Sequence, residues 1–153
     1  MERLQGFNTM RESLAATLDE RKEPITEETF KQVCMPVGKA LKTWGEEKGY
    51  QVKQIAAKNR NPQHALSTVD KKVFEKFLQD SELKHLEQKA TIGQKNGHLL
   101  YVRIPSVAAC LYCHGAKDKR PAFILEKYPQ DLAFDFKPGD LRGLYRVFIP
   151  EKS

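Results

Sequence analysis

Leu86-Glu87-Gln88-Lys89-Ala90-Thr91-Ile92-Gly93, then Gln94-Lys95-Asn96-Gly97, then His98-Leu99-Leu100-Tyr101-Val102-Arg103-Ile104 is the stretch whose reading decides the fold. Leu86 to Gly93 and His98 to Ile104 read as two strands joined through Asn96-Gly97. Both residues of that dipeptide tolerate positive φ, which makes Asn-Gly the strongest short hairpin signal in a sequence. A further strand, Leu141 to Ile149, is the clearest in the chain, and Pro138-Gly139-Asp140 turns into it. Tyr50 to Ala56 alternates well enough for another strand and is followed by the turn-rich Asn59-Arg60-Asn61-Pro62.

Helices flank these strands. The first runs from about Asn8 to Arg21, capped by Asn8 or Thr9, with Met10, Leu14, Ala15 and Leu18 at helical spacing. Glu23-Pro24 breaks it. A second begins at Thr26, with Glu27 and Glu28 favouring the positive end of its dipole. Its stripe is Phe30, Val33, Cys34, Val37, Leu41 and Trp44, and Gly45 or Gly49 ends it. Val69 to Leu78 is a third helix, presenting Val69, Val73, Phe74 and Phe77 on one face. A short helix around Phe123, Ile124 and Leu125 stops before Pro129. Helices at the front followed by a hairpin and a terminal strand predict an α+β domain on an antiparallel sheet. With 153 residues and neither repeat nor low-complexity linker, residues 1–153 are expected to form one domain, with an N-terminal helix at about 8–21 and a core at about 26–150.

Hydrophobic residues make up 40% of the chain and charged residues 30%, the balance of a soluble globular protein. No apolar run is long enough to span a bilayer. The net charge is +6, but the lysines are scattered and form no basic stripe with interleaved aromatics. That argues against nucleic acid and for a surface that docks an acidic redox partner.

The chemistry is concentrated in Cys110-Leu111-Tyr112-Cys113-His114, a C-x-x-C-H run. In c-type haem attachment, two thiols add across the haem vinyl groups and the adjacent imidazole binds the iron. Two intervening residues let one short turn reach both vinyls, and the histidine falls beneath the metal. Half of a zinc site is the competing reading, but structural zinc wants four protein ligands and only one other cysteine exists. The motif sits about two-thirds of the way along the chain, between strands, unlike the small helical cytochromes that carry it near the N-terminus. Thioether attachment in bacteria normally follows export, yet Met1-Glu2-Arg3-Leu4-Gln5-Gly6 lacks a signal's apolar segment. A periplasmic or otherwise exported chain, its leader or anchor removed, is the expected resolution.

The other face of the iron decides what such a group can do. Met10, Met35, His64, His85, His98 and Cys34 are the candidates. Met10 reads more readily as core on the first helix, and His64, His85 and His98 as solvated loop or hairpin residues. Cys34 is a third cysteine in a chain whose other two are consumed by haem. A buried inert thiol is its bland reading, but Met35-Pro36 follows it, and a proline within a helix kinks the axis. Phe30, Val37 and Leu41 would wall a porphyrin beside it. On the residues alone, Cys34, a histidine, a methionine or an open position all stand.

Several features taken in order resemble a known family of PAS-like c-haem domains. These are Val33-Cys34 with a proline soon after, Arg60-Asn61-Pro62, C-x-x-C-H late in the chain, and Gly139-Asp140-Leu141-Arg142-Gly143 opening the last strand. The family includes a stand-alone cyanobacterial haem protein and periplasmic sensing modules, and the resemblance spans roughly residues 26–150. It implies a PAS-like antiparallel β-sheet with long N-terminal helices and one covalent haem c. It also implies an axial pair mapping onto His114 and Cys34, similar to His/Cys-ligated c-type cytochromes that bind nitric oxide and carbon monoxide. The loop departs from the family pattern by continuing as Gln63-His64-Ala65-Leu66, and with no output domain read in these residues a sensing role is expected to need a separate partner.

A thiolate donor would stabilise ferric iron, and its bond would weaken on reduction. Redox or gas (NO/CO) sensing is therefore the expected function, with a low-potential electron-transfer cytochrome as the alternative. No catalytic constellation accompanies the motif, so no enzyme is expected. A redox or signalling partner is implied, as is a homo- or heterodimer built through residues 8–21. Arg60, Arg142 and nearby lysines are candidates to pair with the propionates, and Tyr112 to pack on the haem edge or lie at the surface.

Overall fold

The computed structural model describes residues 2–20, 25–33 and 35–151; of Glu20, Phe30 and Ala108 it describes the backbone. Among the described residues, four strands, β1 (Gln51–Ile55), β2 (His85–Ile92), β3 (Lys95–Pro105) and β4 (Leu141–Pro150), form one antiparallel sheet in the order β1-β4-β3-β2. The helical segments described around it are α1 (Glu2–Ala16), α2 (Glu27–Val33), α3 (Met35–Lys48), α4 (Thr68–Gln79), α5 (Leu111–His114) and α6 (Ala122–Lys127). The α+β expectation and the antiparallel sheet hold.

Period-two alternation in the two central strands builds a core on each face of the sheet. Leu100, Val102 and Ile104 of β3 and Tyr145 and Val147 of β4 face Leu4 and Phe7 of α1 and Val37 and Leu41 of α3. Leu99 and Tyr101, with Leu144 and Phe148, face Val73, Phe74 and Phe77 of α4, together with Ile55. Covered on both sides, His98 to Ile104 reads as a nearly continuous apolar run rather than a half-polar strand.

Two local readings are corrected. The hairpin turns at Gly93-Gln94, because Ile92 pairs with Lys95 and leaves two residues between the strands. Gly93 has φ +64°, the geometry of a two-residue turn with glycine first. Asn96 and Gly97 instead lie within β3, opposite Thr91 and Ala90. Gly97 is required there by packing: a Cβ would collide with the Ile149 carbonyl oxygen and come within 2.9 Å of the Pro150 Cα.

The first helix starts at Glu2, not Asn8. Asn8 is buried within it, and its amide donates to the Arg103 carbonyl at 2.8 Å. A long-range tertiary bond therefore took the place of the expected cap. The last turn tightens into a 3-10 helix, Thr17–Glu20. The second expected helix is described as α2 and α3, and residue 34 between them lies outside the described residues. Gly45 is buried inside α3 against Val52, and the helix runs on to Lys48.

Candidate cofactor site

At Ile104/Pro105 the pairing of β3 with β4 shifts register, and the chain leaves the sheet. Ser106 N–H donates to the Asp140 carbonyl and Gly139 N–H to the Ser106 carbonyl, at 2.9 and 2.7 Å. That exchange ties the departing strand to the Pro138-Gly139-Asp140 turn. A 3-10 turn, Ala108–Cys110, then leads into the single turn of α5. Four residues of helix are too few to hold themselves, so long-range bonds must fix this loop.

Those bonds come from residues 131–136 and Arg60. Phe136 N–H donates to the His114 carbonyl at 3.0 Å, and Asp135 N–H to the Gly115 carbonyl at 2.6 Å. Arg60, 7% exposed, donates from Nη2 to the Cys113 carbonyl at 2.6 Å and the Ala133 carbonyl at 3.0 Å. Its Nε and Nη2 also reach the two Asp131 oxygens at 3.0 and 3.2 Å. Arg120 Nη1 meets Asp131 Oδ2 at 3.0 Å, and the Ala133 N–H donates to Oδ1 at 2.9 Å. Burial alone would push the Asp131 carboxyl up; the Arg60 bonds and charge, the Ala133 N–H and Arg120 together hold it below its ordinary value.

Cys110, Cys113 and His114 line one cavity of about 360 Å³. Its apolar walls include Ala15, Leu18, Val33, Pro105 and Ala109; Arg11, Lys39, Lys42 and Arg142 add cations. The His114 Nδ1 lies 3.0 Å from the Ala133 carbonyl oxygen, so Nδ1 carries the proton there and Nε2 keeps its lone pair. Burial first, then the charges of Arg142 and Arg60, hold this imidazole well below its usual pKa, against the raising effect of its hydrogen bond to the Ala133 carbonyl. Phe136 packs edge-on against its ring, with centroids 6.0 Å apart. The arrangement offers two thiols for covalent attachment and one oriented nitrogen donor for a metal. Among the described residues, no three or more His, Cys, Asp or Glu side chains are grouped to hold a metal ion by themselves.

Of the candidates for the opposite face, Met35 and His64 line this cavity. Burial, followed by the charges of Arg142, Lys53 and Arg11, lowers the His64 pKa. Met10 packs beside the α1–α3 core, His85 is exposed on β2, and His98 Nδ1 lies 3.4 Å from Glu87. These three stand outside the lining. Cys34 lies outside the described residues. Tyr112 is at the surface, 42% exposed, donating to Asp19 at 2.8 Å. Arg60 braces the thiol loop, so its Nε and Nη2 are not available to an external carboxylate. Asp131 and Arg120 were missed in the sequence, which carries no local signal for them.

Fold and cavity together define an α+β protein in which paired thiols and an oriented imidazole share a pocket between helices and sheet. The chain belongs to the Tll0287-like family, whose family model matches residues 3–150. It is similar to the cyanobacterial heme-protein Tll0287, whose crystal structure matches with a TM-score of 0.84 at 43% identity, over 97% of this chain and 91% of that one. No curated protein matches the chain.

Proposed function

We propose that this protein is a mono-haem c-type cytochrome with His114 and Cys34 as axial ligands, serving in redox or gas (NO/CO) sensing. One observation carries the reading: Cys110, Cys113 and His114, its Nδ1 engaged by the Ala133 carbonyl, meet at a single cavity that is otherwise largely apolar. The residues present suit haem. Two thiols match two vinyl groups, apolar walls match a porphyrin, and four cations match two propionates. Arg11, one of those cations, keeps a buried Nε with no partner among the described residues. The kinship with a cyanobacterial heme-protein supports the same group here.

When bound, haem supplies a one-electron iron couple and, at an open axial position, a site for a diatomic gas. The chain's own contribution is to hold His114 in one tautomer, to exclude water with its apolar walls, and to place a labile donor at Cys34. A thiolate at that position favours the ferric state, and its release on reduction would make the distal side responsive. The PAS-like character of the sheet and an exported location belong to this reading. With no catalytic group proposed, the signal passes to a redox or signalling partner.

Replacing Cys34 with Ala tests the distal assignment. The ferric spectrum should lose its low-spin thiolate signature, and carbon monoxide should bind the reduced but not the oxidised wild type. An unchanged Cys34→Ala spectrum would return the ligand to His64 or Met35.

A further inference from the structure

Two donors converge on one carbonyl oxygen. Ala133 O accepts from His114 Nδ1 and from the Arg60 guanidinium, each at 3.0 Å. Arg60 is itself clamped by Asp131, whose side chain is fully buried and is shared with Arg120, 9% exposed at its side chain. The backbone N–H of the same Ala133 returns to Asp131 Oδ1 at 2.9 Å. The residue whose carbonyl orients His114 is thus held at both its C=O and its N–H by a buried charge cluster of two cations and one anion.

We infer that the Arg60–Asp131–Arg120 cluster sets the donor strength of His114, and through it the reduction potential of a haem at this cavity. The inference rests on the haem reading above and assigns a positioning role to Arg60, which lines the cavity, and to Asp131 and Arg120 behind it. The physics is local. A carbonyl oxygen already bonded to a cation is a poorer acceptor for a second donor. The Nδ1 proton is then held more weakly, the imidazole carries less negative character, and Nε2 gives less electron density to iron. Reduced iron is favoured, so Arg60 raises the potential. The net positive charge of the cluster acts in the same direction, because low local dielectric keeps it poorly screened. Asp131 opposes both effects by drawing the Arg60 charge towards itself.

Opposite signs follow for substitutions within one hydrogen-bonded unit, which loss of packing alone would not produce. Spectroelectrochemical titration of the haem-loaded wild type and of Arg60→Gln, Asp131→Asn and Arg120→Gln reads them directly. Arg60→Gln should lower the midpoint and Asp131→Asn should raise it. Arg120→Gln, which removes a cation without touching Ala133, should lower it by less than Arg60→Gln does. Arg60→Lys, retaining charge without the planar fork, should fall between wild type and Arg60→Gln. Shifts of one sign throughout, or a shift for Arg120→Gln equal to that of Arg60→Gln, would overturn the route through Ala133. Should the two buried variants fail to accumulate folded, Arg120→Gln decides alone: a lowered midpoint supports the inference and an unmoved one overturns it. A pyridine haemochrome spectrum on each sample separates the two levels. Absence of haem from the matured wild type removes the functional reading itself, whereas haem present with unmoved potentials removes only the inference.

Discussion

Asp131 accepts from Arg60, Arg120 and the Ala133 N–H within a fully buried environment, and the thiol-bearing loop hangs on that arrangement. Removing one partner of such a group strands the others' charge away from water. Asp131→Ala should therefore lower the unfolding free energy by about 3–5 kcal/mol, measured by urea denaturation. The pH dependence has a definite sign. The folded Asp131 carboxyl titrates below its unfolded value of 3.8, so its contribution is fully present well above that value and is lost as pH falls below it. Wild-type stability should drop below about pH 4, and Asp131→Asn should show a shallower drop over the same window. Sequence could not have singled out this residue. Arg60 and Asp131 are 71 residues apart, and neither stands in a pattern that implies the other. Cys110, Cys113 and His114 were legible because their chemistry is written in contiguous residues.

Among the elements, β2 and β3 show where local signals are sufficient and where tertiary contact overrides them. The strands were readable from their composition, but two glycines competed for the turn. Gly93 occupies it at φ +64°; Gly97 serves the close approach of β4 instead. Local propensity favours Asn-Gly, and only the register of a third strand, invisible in the hairpin's own sequence, reverses the choice. The two positions should respond differently to mutation. Gly93→Asn keeps a residue that tolerates positive φ and should cost less than about 1 kcal/mol. Gly97→Ala forces a methyl against backbone atoms that cannot yield and should cost about 1–3 kcal/mol. Thermal unfolding of the two variants checks this, and equal losses would contradict it. Helix α1 teaches the same lesson. Asn8 resembles a cap locally, yet its partner is the Arg103 carbonyl of β3.

Over the whole molecule, the two central strands are buried on both faces of the sheet, and the cavity opens where α1, α2 and α3 meet the segments that leave the sheet. A third, smaller apolar cluster of Ala15, Leu18, Val33 and Ala109 lies at this junction, beside Cys110. The α+β class was legible from the order of helices and strands. The brace was not, because it joins the loop after β1 to the segment before β4. In functional terms the molecule presents an oriented nitrogen donor and two thiols on a loop tied down by Arg60 and residues 131–136. The claim that these serve covalent haem is tested most directly by denaturing the protein, after maturation in a host with c-haem attachment machinery, and recording its pyridine haemochrome spectrum. Haem that stays with the denatured chain and gives the spectrum of two thioethers is the predicted result. Haem that extracts into acidified organic solvent, or a chain that carries none, would contradict the account.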